Sequence, residues 1–181
     1  MKRIIAIAAL VIFGCVSVKA SGYPYDYTFQ NARVVSVGPA IVVKVESGMM
    51  STLVIGYKRS GMLGGSDSIS AVVRTTYSNY NGNVNTVERV IQIPKEWHGT
   101  GYMTPEMSPY DFVAGGDSCR EIIRIELAFF NGPKWDSNYG ANYAVEKNDF
   151  YQKAATFRSE HGGGPNIDLY CWDFIVGQMR K

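Results

Sequence analysis

Side chains that carry most enzyme and metal chemistry are scarce in this chain. It has two histidines, and its three cysteines never form a C-x-x-C pair, so neither a zinc cluster nor a thioredoxin-type redox site is indicated. No G-x-S-x-G elbow occurs, and the glycine-rich stretches lack the lysine of a phosphate-binding loop. We therefore predict no catalytic residues, no metal and no cofactor. A small hydrolase that uses two carboxylates stays open, because a chain of this size holds enough acidic residues.

Long hydrophobic runs are also missing, except at the N-terminus. Lys2 and Arg3 precede an apolar stretch over 4–14, and Val18-Lys19-Ala20 follows as a cleavage site of the Val-x-Ala type. A basic start, a short apolar stretch and a small-residue cleavage site are the pattern of a signal peptide. The apolar stretch is too short to span a bilayer comfortably.

Residues 1–20 are thus predicted to be a signal peptide, and residues 21–181 a single domain without a transmembrane span. The mature protein is then secreted, periplasmic or at the cell surface; the alternative is a lipoprotein anchored through Cys15. Loss of the leader leaves 15 basic against 16 acidic residues. Such a near-neutral chain lacks the basic surface that nucleic acids or anionic membranes require, so we expect no nucleic-acid partner.

Cleavage after Ala20 leaves two cysteines, Cys119 and Cys171. An even pair in an oxidising compartment favours a disulfide, and the two residues fall in separate predicted strands. We predict a Cys119–Cys171 bridge, with two buried free thiols as the alternative.

The mature sequence consists of short β-branched or alternating segments separated by glycine, proline and asparagine, without a long helical period. In the clearest segment, Ile125, Leu127 and Phe129 alternate with Arg124 and Glu126. Many short strands joined by glycine-rich turns are typical of a sandwich. We predict an all-β fold, an immunoglobulin-like antiparallel β-sandwich with long irregular loops. The predicted strands cover 32–37, 41–46, 52–58, 69–77, 87–93, 119–130, 141–146 and 169–176, with one or two helical turns within 148–158.

The turn that follows the clearest strand concentrates aromatic and amide side chains. Within nine residues it presents Trp135, Tyr139 and Tyr143 together with Asn138 and Asn142. An aromatic ring accepts the C–H face of a sugar with little loss of side-chain entropy. An asparagine amide offers both the donor and the acceptor that neighbouring hydroxyls need. The turn therefore predicts a carbohydrate contact.

The segment W-D-S-N-Y-G-A-N-Y over 135–143 resembles the W-D-N-N-x-G-x-N-Y signature of starch- and glycogen-binding modules, the family 21, 25 and 53 group. The resemblance covers about twenty-five residues, from Ile122 to Val145. It implies a non-catalytic all-β sandwich that binds α-glucan through aromatic and asparagine side chains around this loop. Ser137 departs from the family pattern, which has asparagine there, and this removes one of the expected amide contacts.

Each residue of the turn also has a structural alternative. Trp135 can serve as a sugar platform or as a lid on the sandwich edge, and Tyr143 can be a contact or part of the core. Asparagine stabilises turns through its own backbone, and Asp136 and Gly140 are predicted to be structural. A second aromatic is expected from the set Tyr77, Tyr80 and Trp97. The predicted carbohydrate-binding residues are Lys134, Trp135, Asn138, Tyr139, Asn142 and Tyr143.

These patterns predict an exported, non-catalytic protein that binds an α-glucan-like polysaccharide or oligosaccharide. The alternative is a structural or protein-interaction sandwich of the cell surface or periplasm, which would bind another envelope or secreted protein.

Overall fold

The computed structural model describes residues 31–47, 50–96, 99–158 and 173–181, and it confirms the predicted antiparallel β-sandwich. The predicted leader, Trp97, Cys171 and Trp172 lie outside the described residues. The strands are β1 (Asn31–Val37), β2 (Ala40–Ser47), β3 (Met50–Lys58), β4 (Ile69–Ser78), β5 (Val84–Ile93), β6 (Gly101–Met103), β7 (Glu121–Asn131), β8 (Lys134–Asp136), β9 (Tyr143–Glu146) and β10 (Ala155–Arg158). The helical elements are α1 (Asp149–Gln152), two 3-10 turns at Pro109–Phe112 and Asn138–Gly140, and a C-terminal helix over 173–179.

The first sheet has the strand order β10-β1-β2-β3-β6. Its β1–β2 hairpin turns at Gly38, whose φ of +57° is a conformation that favours glycine. Val37 pairs with Ala40 across this turn, and β2 pairs with β3 from Ala40–Tyr57 to Ser47–Met50. Three consecutive strands are therefore joined by short hairpin connections.

The second sheet has the order β5-β4-β7, and β8 and β9 both pair with the remaining side of β7. β4 alternates between buried and less buried residues along its whole length, as its sequence predicts. In β7 the alternation is clean around Ile125 and Leu127 but weakens towards Glu121. The pairing with β4 shifts there, between Thr76 and Tyr77, which is a β-bulge in the register.

Apolar side chains from both inner faces fill the space between the sheets. Ile55, Val73, Ile93, Leu127 and Phe129 are buried there, at 2 % exposure or less. Side chains of the alternate residues of β2 instead point to the outer face of the first sheet and belong to a second core.

The C-terminal helix covers that outer face. Ile175, Val176 and Met179 pack with Ile41 and Val43 of β2, which explains why β2 is apolar on both of its faces. The predicted strand over 169–176 is therefore wrong for the described residues from 173 onwards, while 169–172 lie outside them. A short apolar run fits either element, and only its packing partner decides between them.

The segment 148–158 contains one short helix, α1, followed by strand β10 on the edge of the first sheet. The predicted helical turn is thus present, but the strand was not expected. No helix in the described part of the chain is long and apolar enough to cross a membrane.

Candidate functional site

The aromatic turn lies at one end of the sandwich, where β7 ends and β8 runs back along it. Gly132 has a φ of +55° in the connecting turn, and Asn131 pairs with Lys134 across it. Phe130 consequently pairs with Trp135, and both side chains stand on the outer face of the second sheet. A tight hairpin therefore determines the position of the tryptophan.

Trp135 is half-exposed, at 51 % of its surface, and its ring is stacked on Phe130. The ring centroids are 4.6 Å apart and the planes differ by 21°. Stacked cross-strand aromatics stabilise a hairpin and restrict both rings. One face of the indole is thus supported by protein, while about half of the side chain remains open to solvent. Lys134 is exposed beside it.

The turn over 137–142 has an unusual backbone. Asn138, Tyr139, Gly140 and Asn142 have φ values of 50°, 56°, 89° and 59°. Gly140 adopts positive φ as predicted, and asparagine tolerates this region well. The turn is closed by hydrogen bonds to the Ser137 carbonyl from the Gly140 N–H at 3.0 Å and the Asn142 N–H at 2.9 Å.

Tyr139 is the exception in this turn, because a tyrosine with positive φ is strained. Its side chain is fully exposed, so packing of the ring within the described protein does not offset the strain. Strained residues cluster at functional sites, where a side chain is held in position for a partner.

The two asparagines of this turn differ in hydrogen bonding and in exposure to solvent. The Asn138 amide nitrogen donates to the Asn142 carbonyl at 3.3 Å, which occupies part of its hydrogen-bonding capacity in the turn. Asn138 is exposed and Asn142 is half-buried. The amide of Asn138 therefore stabilises the turn, and the side chain remains accessible to solvent.

Asp136 points in the opposite direction from Trp135, into the sandwich. It is 5 % exposed, and its two carboxylate oxygens accept hydrogen bonds from the hydroxyls of Tyr57, at 2.5 Å, and Tyr143. The Tyr57 hydroxyl in turn accepts from the Leu63 N–H at 3.0 Å. Asp136 is structural, as predicted, but through tyrosine hydroxyls rather than through the turn backbone.

Burial is the largest cause of altered tyrosine acidity in this cluster. It raises the pKa of Tyr143 to about 12, with the hydrogen bond to Asp136 as the second cause. The pKa of Tyr57 is also raised, by burial first and by the same carboxylate second. Both tyrosines thus stay protonated near neutral pH and act as donors to the carboxylate.

Tyr143 is therefore a core residue rather than a sugar platform. It is 7 % exposed, its ring lies 6.1 Å from that of Phe129, and a Cβ added to Gly38 would approach its ring to 3.1 Å. Of the two alternatives that the sequence leaves open for this residue, the structure supports the core. Its place among the predicted contacts is not retained.

A shallow open surface remains around Trp135. We call it the Trp135 shelf, formed by Met62, Trp135, Ser137, Asn138 and Tyr139. Met62 is 74 % exposed and reaches this surface from the loop after β3. Sequence reasoning missed Met62, because its proximity depends on the fold, and also missed Phe130, although the hairpin register could have predicted its pairing with Trp135.

Of the other predicted aromatics, Tyr77 and Tyr80 do not join this surface, and Trp97 lies outside the described residues. Tyr77 is buried in the core, and its hydroxyl donates to Asp117 at 2.7 Å. Tyr80 is exposed in the hairpin turn between β4 and β5, at the other end of the sandwich. Cys119 is a free cysteine, and no disulfide is seen within the described residues; its predicted partner, Cys171, lies outside them.

No group of histidine, cysteine and acidic residues that could hold a metal occurs in the described residues. Comparisons with protein-family models, with curated proteins and with solved structures find no match to this chain.

Proposed function

We propose that this protein is a non-catalytic polysaccharide-binding domain that contacts its ligand, an α-glucan or similar chain, through the Trp135 shelf. The observation that carries the proposal is the half-exposed indole of Trp135, held in place by stacking on Phe130. The resemblance of the 135–143 segment to glucan-binding modules points to the same residue.

A held tryptophan suits a sugar ring for a physical reason. Binding costs free energy for each flexible side chain that becomes ordered, and pre-organisation lowers that cost. The Phe130 contact already restricts the indole before the ligand arrives. Stacking on a pyranose face then adds apolar contact with little further ordering.

Tyr139 and the asparagine amides complete the proposed contact. The Tyr139 ring stands free in solvent on a strained backbone, where it can stack against a neighbouring sugar unit. Asn138 and Asn142 lie within the same turn and supply donors and acceptors for hydroxyls. Because each sugar hydroxyl exchanges a bond to water for a bond to protein, we expect modest affinity from one shelf.

The surroundings of Asp136 support a binding role without catalysis. Among the described residues Asp136 is the acid that borders the shelf, and both of its carboxylate oxygens accept hydrogen bonds from buried tyrosines. Glycoside hydrolysis needs two carboxyl groups facing each other across the scissile bond. Within the described part of the chain, no second carboxylate borders the shelf.

Affinity electrophoresis in gels that contain amylopectin, glycogen or unrelated polysaccharides tests the proposal. We expect wild-type protein to be retarded on at least one glucan and Trp135→Ala to migrate as in an empty gel. Val90→Ala is the matched control, since it removes an exposed apolar side chain from β5 that does not line the shelf. Unchanged migration of the wild type on every glycan would contradict the proposal, and release of reducing sugar would favour the hydrolase.

A second candidate function is protein interaction, and the edge strand β5 favours it. Among the described strands, β5 pairs only with β4, and it exposes Val84 and Val90 at 61 % and 48 %. An unpaired edge with exposed apolar side chains invites another chain. Chemical cross-linking of wild-type protein and of Val84→Lys tests this role. We expect the wild type to form oligomers or to capture a partner protein, and the variant to lose these products.

We also propose export, which follows from the leader pattern alone. N-terminal sequencing of the protein from its native cells should give Ser21 as the first residue. A lipidated Cys15 would instead support the lipoprotein alternative, and an intact Met1 would contradict export by either route.

A further inference from the structure

The end of the sandwich opposite the Trp135 shelf contains a groove between the two sheets. It lies where β2 ends and where β3 and β7 begin, and it has a volume of about 280 Å³. Ligand pockets are commonly about 300–1,000 Å³, so this groove is close to the small end of that range. It fits a short stretch of a chain that continues into solvent. We call it the basic groove. The lysine, arginine and tyrosine side chains that line it are Lys44, Tyr80, Tyr110, Arg120, Lys147 and Tyr151.

Positive charge is concentrated in this groove although the mature chain is near neutral. Its lining has three cations, Lys44, Arg120 and Lys147, against a single carboxylate, Glu121. Lys147 pairs with Glu121 at 2.6 Å, and Lys44 lies 3.5 Å from Glu46. The groove therefore retains net positive charge after these pairs form.

Arg120 is the cation available for a ligand. It is exposed, and none of the ion pairs within the described residues includes it. A guanidinium offers a planar fork of donors that matches a carboxylate with two parallel hydrogen bonds.

Aromatic rings stand beside these charges. Tyr80, Tyr110 and Tyr151 are 68 %, 49 % and 58 % exposed. The Tyr151 ring is further positioned by Arg33, whose guanidinium carbon lies 5.0 Å from the ring centroid. Exposed tyrosines near Arg120 combine a stacking surface for sugar rings with a partner for their carboxylates.

The β7 backbone at the bottom of the groove is already paired on both of its sides. β7 is paired with β4 on one side and, from Arg124 to Leu127, with β9 on the other. The Ile123 carbonyl accepts a hydrogen bond from the Lys147 N–H at 2.8 Å. An extended peptide that binds by strand addition needs free backbone groups, so recognition here depends on side chains.

We infer that the basic groove is a second binding site, for a polysaccharide that carries carboxylates, such as a uronate polymer. Arg120 binds the carboxylate, and Tyr110 and Tyr151 contact the sugar rings. The inference goes beyond the proposed function, because the site uses different residues, a different end of the sandwich and a charged ligand.

The test measures binding of polygalacturonate and of its methyl ester, which has the same rings without the charges. We expect wild-type protein to bind polygalacturonate and to bind the ester at least tenfold more weakly, because the charge-assisted bonds are lost. Arg120→Gln should weaken polygalacturonate binding roughly tenfold and remove the preference over the ester. Arg74→Gln is the matched control, since Arg74 is exposed on the outer face of β4.

Equal binding of the two polymers, or equal effects of Arg120→Gln and Arg74→Gln, would overturn the inference. So would binding of polyglutamate as tight as that of polygalacturonate, which would indicate a site for acidic peptides. Trp135→Ala separates the two proposals, because it should abolish retardation on neutral glucan and leave polygalacturonate binding unchanged.

Discussion

The space between the two sheets is filled by side chains at one end of the sandwich and open at the other. At the shelf end, Tyr57 and Tyr143 fill it and donate to the buried Asp136. At the groove end, Lys44 and Ser51 occupy the corresponding inward positions of β2 and β3, and the space stays open. The filled end therefore presents its aromatic turn as a shallow outer surface. The open end instead forms a concave groove.

Each end of the sandwich also contains a hydrogen-bonded carboxylate, and the two carboxylates differ in burial. Asp136 is buried and depends on two tyrosines. Asp117, at the groove end, is half-buried and accepts from Tyr77 at 2.7 Å, from Asn85 at 3.0 Å and from the Ser118 N–H at 2.9 Å. A buried carboxylate with few partners is costly to disturb, whereas a solvated one with several partners is more tolerant.

Asp136→Ala should have the largest effect on stability. It leaves two buried tyrosine hydroxyls without their acceptor, and we expect a loss of roughly 3 kcal/mol or more in the free energy of unfolding. Urea denaturation measures this. Asp111→Ala, in the exposed 3-10 turn before β7, is the control and should cost much less. A loss below about 1 kcal/mol for Asp136→Ala would contradict the role given to the cluster.

Alkaline pH should weaken the shelf end through Tyr143. The pKa of Tyr143 is raised from 10.0 to about 12 in the folded protein. Its contribution to stability is complete below the unfolded value of 10.0 and is lost as pH rises through the folded value, because the unfolded chain ionises first. Denaturation midpoints across this range should fall less in Tyr143→Phe than in the wild type. Equal falls of the midpoint in the two proteins would show that ionisation of Tyr143 does not cause the alkaline loss of stability.

Acid should affect the groove end through Asp117. Its pKa is lowered from 3.8, first by the hydrogen bond from Tyr77. Its contribution is present above the unfolded value and is lost as pH falls through the folded value. The stability difference between wild type and Asp117→Asn should therefore shrink as the solution is acidified below that unfolded value. A difference that stays constant would show that the ionised form carries no advantage.

Tyr139→Gly should have the smallest effect on stability but a clear effect on glucan binding. Glycine relieves the positive φ, and after its greater unfolded-state entropy is subtracted we expect a gain of about 0.5 kcal/mol. Binding to glucan should weaken at the same time. Tyr139→Asn, which also tolerates this conformation, is the control for the backbone. A loss of stability in both variants would show that the ring packs usefully.

Local patterns predicted much of the fold. Alternation along β4 and β7 and the Gly38 turn gave the strands and the sandwich, because these features depend on neighbouring residues. The strands predicted over 32–37 and 41–46 correspond to β1 and β2. What covers the outer face could not be predicted, because the helix over 173–179 has a short apolar run that fits either element.

The candidate site was less predictable than the fold. Trp135 and Tyr139 face solvent as the sugar hypothesis requires, but Tyr143 does not. The partner of Asp136 lies 79 residues away at Tyr57, and no local pattern indicates such a pairing. The basic groove depends on which side chains the β2–β3 register brings to the end of the sandwich, and no local pattern indicates that.

A tryptophan fluorescence titration with maltooligosaccharides tests the central proposal most directly. Trp135 is the indole on the shelf, so the difference between wild type and Trp135→Phe isolates its signal from those of Trp97 and Trp172. We predict a saturable change in the wild type that the variant lacks. Identical traces for the two proteins, with or without a change, would contradict a sugar contact at Trp135.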